Sequence, residues 1–496
     1  MKSNKTSTTL IILGALGIIA ALLVDVIRNG KLHIQAAQIL LIELSILTIL
    51  LGLLTRQIFP YHSNKNSLDG LFKRVKEIPQ ITWAMAGFLI AYLAFFIIPV
   101  FFNTPPRMQY FNKYLPDSYP IGGDLLFMTN LAKSWFEEGQ SPFYVQFYPP
   151  FTYVFFSPFI LIANQHLLFK IVTITTIACF ILSSLLIPLL ISKDKEKALI
   201  WVFFVTGLIS YGMQFEMERG QINVITFLFC ISAIYIYHFH HSFRYYAYLL
   251  FSIAIQIKIY PAIFVVMLIK DWRDWKGNLR RIIALGLFNF SLLFVAGIQP
   301  FLEFTSSVTN QITKPGWSWV GNHSINAFVS EFVENNGFGL VQTSSIEFIQ
   351  QHIGMISSIF LIIYLLCFLS AILRAYHNNH EGIDAILFLT CMIGALIIPV
   401  SNDYTLSILA APSALAITAI SNGNFGKNKF SATLLLILAT AAYTSTLYPF
   451  KHKPLLLQNS FTALFIVLIT TTLLNHIIES VQQRAANDQK VIFEKE

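Results

Sequence analysis

The chain has 496 residues, of which 55% are hydrophobic, 15% aromatic and only 12% charged, and its mean hydropathy is +0.63. No soluble globular protein carries that balance, so the composition implies an integral membrane protein. The net charge of +8 is scattered through short loops between apolar runs, the pattern that orients a chain in a bilayer, and nowhere do basic and aromatic residues interleave as a nucleic-acid surface requires.

At the N-terminus, MKSNK leads into an apolar run at 9–26. This has the start of a signal peptide, but small-residue cleavage chemistry is lacking and a second apolar run, 32–54, follows closely, so the segment is read as a membrane anchor. Glu43 lies in the second run, where an acid is either functional or hydrogen-bonded between helices. Residues 55–80 carry Arg56, Lys65, Lys73, Arg74 and Lys76 and are assigned to the cytoplasm. A span at 81–102 then delivers the next loop to the opposite side.

That loop contains GGDLLFMTNLAKSWFEEGQSPFY, in which Asp124 follows Gly122 and Gly123 and heads a helix-length stretch. Leu125, Leu126, Met128, Leu131, Ala132 and Phe136 recur at helical spacing, while Asn130, Lys133, Glu137 and Glu138 face elsewhere, which predicts an amphipathic helix lying on the membrane surface. Asp124 then stands at its N-cap or first turn, where an acid is favoured whether or not it does chemistry. Tyr148, Pro149 and Pro150 form a rigid turn before the next apolar stretch.

Further crossings are expected at 167–192, 198–212, 223–238, 282–300, 353–373, 385–400, 406–420, 430–447 and 455–475, giving about twelve in all. Residues 151–163 are half the length needed and carry Pro158, so they are expected to be re-entrant or interfacial. Residues 245–269 are broken at Lys258, Tyr260 and Pro261 and end in the basic KDWRDWKGNLRR loop, which fits two half-helices that dip in and return. The fold class expected is therefore an all-α polytopic membrane protein with re-entrant and juxtamembrane helices and large extracytoplasmic loops. Residues 1–79 would form an N-terminal hairpin and cytoplasmic loop, 80–475 the catalytic membrane domain, and 476–496 a cytoplasmic tail. Cys179, Cys230, Cys367 and Cys391 fall in apolar runs without a CxxC pair, so neither a disulfide framework nor a zinc site is indicated.

With this threading the polar clusters emerge on the same face as Asp124. They are Glu216, Glu218, Arg219, Gly220, Gln221 and Asn223 in FEMERGQIN, Lys258 and Tyr260 in KIYP, Asn322, His323, Ser324 and Asn326 in GNHSIN, and Asn402, Asp403 and Tyr404 in SNDY. Each has a plain structural alternative: Arg219 as an interfacial anchor, Lys258 as a snorkelling cation, Asn402 and Asp403 as a turn, His323 as a structural histidine. Their convergence on one carboxylate is what favours a site.

At these residues the chain resembles the polyprenyl-phosphate-sugar-dependent glycosyltransferases of the GT-C superfamily, and within them glycosyltransferase family 87, which includes alpha-1,2-mannosyltransferases of phosphatidylinositol mannoside assembly. The matching features are the acid and amphipathic helix of the first large external loop, the YPP turn, GQIN, KIYP, GNHSIN and NDY, in order and on one side. Two extra N-terminal spans, and His323 where a glutamine is common, depart from the pattern.

The resemblance implies an inverting transfer of a sugar, mannose first and another hexose or pentose otherwise, from a polyprenyl-phosphate donor to a glycolipid or cell-envelope glycan acceptor. It would work at the extracytoplasmic face of a bacterial inner or plasma membrane. Asp124 would be the general base that takes the acceptor's proton. Arg219 and Lys258 would stabilise the leaving phosphate, and His323 would bind the phosphate or a sugar hydroxyl. Glu218 is the rival base, Asp403 a structural or sugar-binding acid, and Tyr148, Gln221, Asn223, Tyr260, Asn322 and Asn402 complete the substrate-binding set. No DxD pair is present, and neither a metal nor a cofactor is required. The competing classes are a lipid or glycan transporter or flippase, which predicts inverted repeats and polar residues at the midplane of both halves, and a glycan polymerase or ligase.

Overall fold

The structure is a computed structural model. It describes residues 8–20, 45, 48–49, 122–144, 148–192, 197–208, 210–313, 321–334, 343–378, 382–398, 400–419, 438–439 and 459–474. The expected span at 81–102, nearly all of those at 32–54 and 430–447, the basic loop at 55–80, Glu43 and the tail at 476–496 lie outside the described residues.

Among the described residues the chain is all helical, and the one β-bridge joins Asn322 to Asn402. Helix α1 is Thr8–Ala20. The site is carried by α2 (Gly123–Glu138), α3 (Pro150–Ile160), α4 (Gln165–Ile191), α5 (Lys197–Leu208), α6 (Tyr211–Arg219), α7 (Asn223–Phe239) and α8 (Arg244–Ile257). Helix α7 is the hub: its side chains are buried on nearly every face, and α8, α4 and a 3-10 segment, Tyr260–Leu268, pack around it. Phe227 of α7 stacks on Phe388 at 6.3 Å, and Phe264 meets Phe388 edge-on at 5.6 Å. A helix apolar all round is stable only when buried in protein or in lipid, and α7 takes the first course.

Helix α4, of 27 residues, and Ile353–His377, of 25, take the other: both are long and apolar enough to cross a bilayer, yet only 39% and 28% of their apolar windows are buried inside the protein. Ile174, Leu190 and Ile362 stand more than half exposed. Burial in lipid is the environment such surfaces require. The chain is a membrane protein by composition and by these two helices.

Several boundaries differ from the sequence expectation. The helix expected at 282–300 starts earlier, at Trp275, because Asp274 caps it by accepting from Gly277 N at 3.0 Å. It ends at Leu292, and after a turn through Gly297 a separate helix runs over Ile298–Thr313. The stretch expected at 406–420 is a 3-10 segment, Asp403–Leu409, followed by a helix over Ala410–Ala419. The break expected near Lys258 is present: α8 ends at Ile257, Lys258 is extended, and Tyr260–Leu268 continues as 3-10 helix.

Candidate active site

Two left-handed glycines set the geometry. Gly122, with φ of 65°, precedes α2, and its N–H donates to the Glu218 carbonyl at 2.8 Å. Gly220, also with φ of 65°, terminates α6, the role glycine fills at a helix C-terminus. A Cβ on Gly220 would lie 2.7 Å from Leu125 Cβ and 3.4 Å from Gly122 Cα, so only glycine lets the end of α6 press against the start of α2.

The crossing delivers Asp124 to two donors. Arg219 Nη2 donates to one carboxylate oxygen and Gln221 Nε2 to the other. Asp124 is thus a first-turn acid and not the helix cap, because Gly122 holds the N-cap position without a side-chain bond. Gln221 passes the link onward, its Oε1 accepting from Lys258 Nζ at 3.0 Å. Four side chains therefore form one line, Arg219, Asp124, Gln221 and Lys258. Burial works against the charge of Arg219, but the hydrogen bond and charge of Asp124 outweigh it and hold the guanidinium above its ordinary range.

Lys258 is buried where α8 stops, with its ammonium 5.6 Å from the Tyr148 ring and 5.8 Å from the Tyr404 ring, distances at which aromatic faces attract a cation. Thr152 of α3 holds the end of α8, its hydroxyl lying 3.0 Å from the carbonyls of Gln256 and Ile257, groups that a helix end leaves without an intrahelical partner. Asp124, Tyr148, Thr152, Gln221 and Lys258 line one cavity, whose remaining wall includes the apolar Met128, Phe156 and Ile222. A second cavity, beside His238, Trp272 and Asp384, lacks such a set. There His238 Nε2 meets the Met267 carbonyl at 2.7 Å, and Asp384 is held by Arg374 and by its own helix start.

Beneath Lys258 the turn is held by Glu216, fully buried, which accepts from Asn223 Nδ2 at 2.7 Å and from Val224 N at 3.0 Å. Burial pushes its carboxyl up to about 7, against the opposing pull of Asn223, the Lys258 charge and the Val224 N–H. Tyr260 OH donates to the Asn223 carbonyl at 3.1 Å. Glu218 is buried next to Arg219 and contributes its carbonyl to Gly122.

Asn322, His323, Asn402 and Asp403 form a second group. Asn322 pairs with Asn402, His323 N donates to the Ser401 carbonyl at 2.7 Å, and His323 Nε2 sits 3.0 Å from Asp403 Oδ1 with both side chains fully buried. Tyr404 joins the two groups: its hydroxyl accepts from Asn402 Nδ2 at 2.7 Å while its ring faces Lys258. Burial, and then the neighbouring Tyr148, push the Tyr404 phenol up.

The sequence profile of Glycosyltransferase family 87 matches residues 146–399, more than half of the chain. The chain belongs to glycosyltransferase family 87. No curated protein and no solved structure gives a significant match. Membership makes this family 87 protein a glycosyltransferase, which takes a sugar donor and a glycan acceptor, and it displaces the transporter reading. The matched range covers Tyr148, Glu218, Arg219, Gln221, Asn223, Lys258, Tyr260, Asn322 and His323, while Asp124, Asn402 and Asp403 lie beyond it and are tied to it by the contacts above.

Two residues of this arrangement escape sequence reasoning. Thr152 sits in an apolar run with no signal beyond its polarity. Asn459, whose Nδ2 donates to the Asn322 carbonyl at 3.0 Å, falls inside the crossing expected at 455–475, yet the helix begins only at Phe461. The sole hint is the polar triplet Gln458, Asn459 and Ser460 interrupting the apolar run.

Proposed function

We propose that this family 87 enzyme transfers a sugar, mannose first, from a polyprenyl-phosphate donor to a glycolipid or cell-envelope glycan at the extracytoplasmic face of a bacterial inner or plasma membrane. The observation that carries the reading is the line Arg219, Asp124, Gln221 and Lys258, of which the last three line a cavity that also has the apolar Met128, Phe156 and Ile222 in its lining. Such a cavity suits a molecule that is sugar phosphate at one end and lipid at the other.

In this reading the acceptor hydroxyl gives its proton to Asp124, whose oxygens keep lone pairs beyond those used by Arg219 and Gln221. The acceptor oxygen attacks the anomeric carbon, the bond from that carbon to the phosphate oxygen breaks, and polyprenyl phosphate leaves. Arg219 and Lys258 offset the charge that develops on it, Lys258 from a buried position and Arg219 from a part-exposed one. One base and no nucleophile give inversion, by the logic of inverting glycosidases. Residues 80–475 form the catalytic membrane domain within about twelve crossings, between the N-terminal hairpin and the tail.

The test has two arms. Purified protein in liposomes is given polyprenyl-phosphomannose and extracted envelope lipids, and mass spectrometry of glycolipids from cells with and without the protein names the sugar and the acceptor together. For sidedness, a cysteine placed within residues 301–352 should react with a membrane-impermeant thiol reagent from outside, and one within 271–279 should not. The reverse labelling removes the external site.

A further inference from the structure

Asn459 touches Asn322, His323 and Phe461, although it lies beyond the family match and in a run that reads as lipid-soluble. Its amide orientation is fixed twice: Nδ2 donates to the Asn322 carbonyl at 3.0 Å, and Oδ1 accepts from Phe461 N at 2.8 Å. That oxygen lies 3.2 Å from His323 Nδ1. An amide oxygen can only accept, so the atom facing it is an Nδ1–H, and the imidazole is turned with Nε2 toward Asp403 Oδ1 at 3.0 Å, a contact that attracts when a hydrogen lies on either of those two atoms. Asp403 opens the 3-10 segment whose next residue, Tyr404, faces Lys258.

We infer that Asn459 is a positioning residue for sugar transfer: it fixes the orientation of the His323 ring with Nδ1 as its donor, and through the His323–Asp403 contact it holds the Tyr404 wall against Lys258. The inference rests on the site proposed above. Reactions that depend on aligned groups lose up to about a hundredfold when a remote change shifts them by an ångström, so a residue with no exposed surface can set the rate.

Two variants separate this role from plain support of the helix that follows. Asn459→Ser keeps a weaker local turn to Phe461 N but is too short to reach the imidazole, and Asn459→Ala keeps neither. In the liposome assay with polyprenyl-phosphomannose, Asn459→Ser should lose about ten- to a hundredfold in kcat with KM for the donor little changed, and Asn459→Ala at least as much. A second readout needs no substrate. In 15N-histidine spectra, the His323 resonance, identified by its loss in His323→Gln, should show a protonated Nδ1 in the native protein and an unprotonated one in Asn459→Ser.

A native kcat for Asn459→Ser overturns the inference. So does an unprotonated Nδ1 in the native protein. Asp124→Asn in the same assay tells the two failures apart. If it transfers normally, the site itself is wrongly placed; if it is inactive while Asn459→Ser is not impaired, Asn459 alone is wrongly assigned.

Discussion

Arg219 meets Asp124 across 95 residues of sequence as a part-exposed ion pair. The pair forms because a glycine on each side lets two helix ends touch, so the carboxylate is held by the fold and is open on its cavity side. Asn in place of Asp124 keeps the size and can still accept from Arg219 but cannot take a proton. Asp124→Asn should therefore leave a folded, membrane-inserted protein that binds the donor and transfers about two to four orders of magnitude more slowly. Glu218→Gln should cost far less. Single-turnover rates and donor binding on the two variants check both statements.

Arg219→Ala and Lys258→Ala should each lower kcat/KM by roughly one to three orders of magnitude if they stabilise the leaving phosphate. Arg219→Lys restores charge without the planar fork and should recover only part of the loss. Native kinetics in both alanine variants would remove the two cations from the site.

Gly220→Ala tests the crossing itself. The new Cβ meets Leu125 and must also adopt a left-handed backbone, so the cost should exceed that of the backbone alone, about 1–2 kcal/mol. Gly139 has φ of 72° and nothing within 4 Å of an added Cβ. Gly139→Ala should show the backbone cost only, and a thermal melt of both variants in one detergent reads the difference.

Glu216 sets a pH dependence whose sign can be worked out. Its carboxyl titrates near 7 when folded, above the ordinary 4.5, because burial disfavours the charge. The folded state thus holds the proton more tightly, and the associated stability is full below about pH 4.5, is lost as pH rises, and is gone above about pH 7. Its size is a few kcal/mol at most. Glu216→Gln keeps the neutral form at every pH, so the difference in melting temperature between native protein and variant should change across that window and flatten above it.

The class of protein was readable from composition, and the break at Lys258 from Pro261, which cannot extend the preceding helix. The polar stretch around Gly220 was readable as a break between crossings, but the helix Tyr211–Arg219 that ends there was not. What the line of residues does was not. Gln221 is one more polar residue until Asp124 and Lys258 are found on its two ends, and no local period encodes a contact over such separations. His323, expected to touch phosphate or sugar, instead faces Asp403 and Asn459 with no exposed surface. Asn459 was missed because its neighbours are apolar and a sliding hydropathy pattern runs straight through it.

The bridge between Asn322 and Asn402 has a consequence for synthesis. It joins two loops made well apart in time, and Asn459, which locks onto the first of them, is made later than either. Every residue of the Asp124 line has thus been synthesised before the wall carrying Tyr404 can gain its anchor at Asn459.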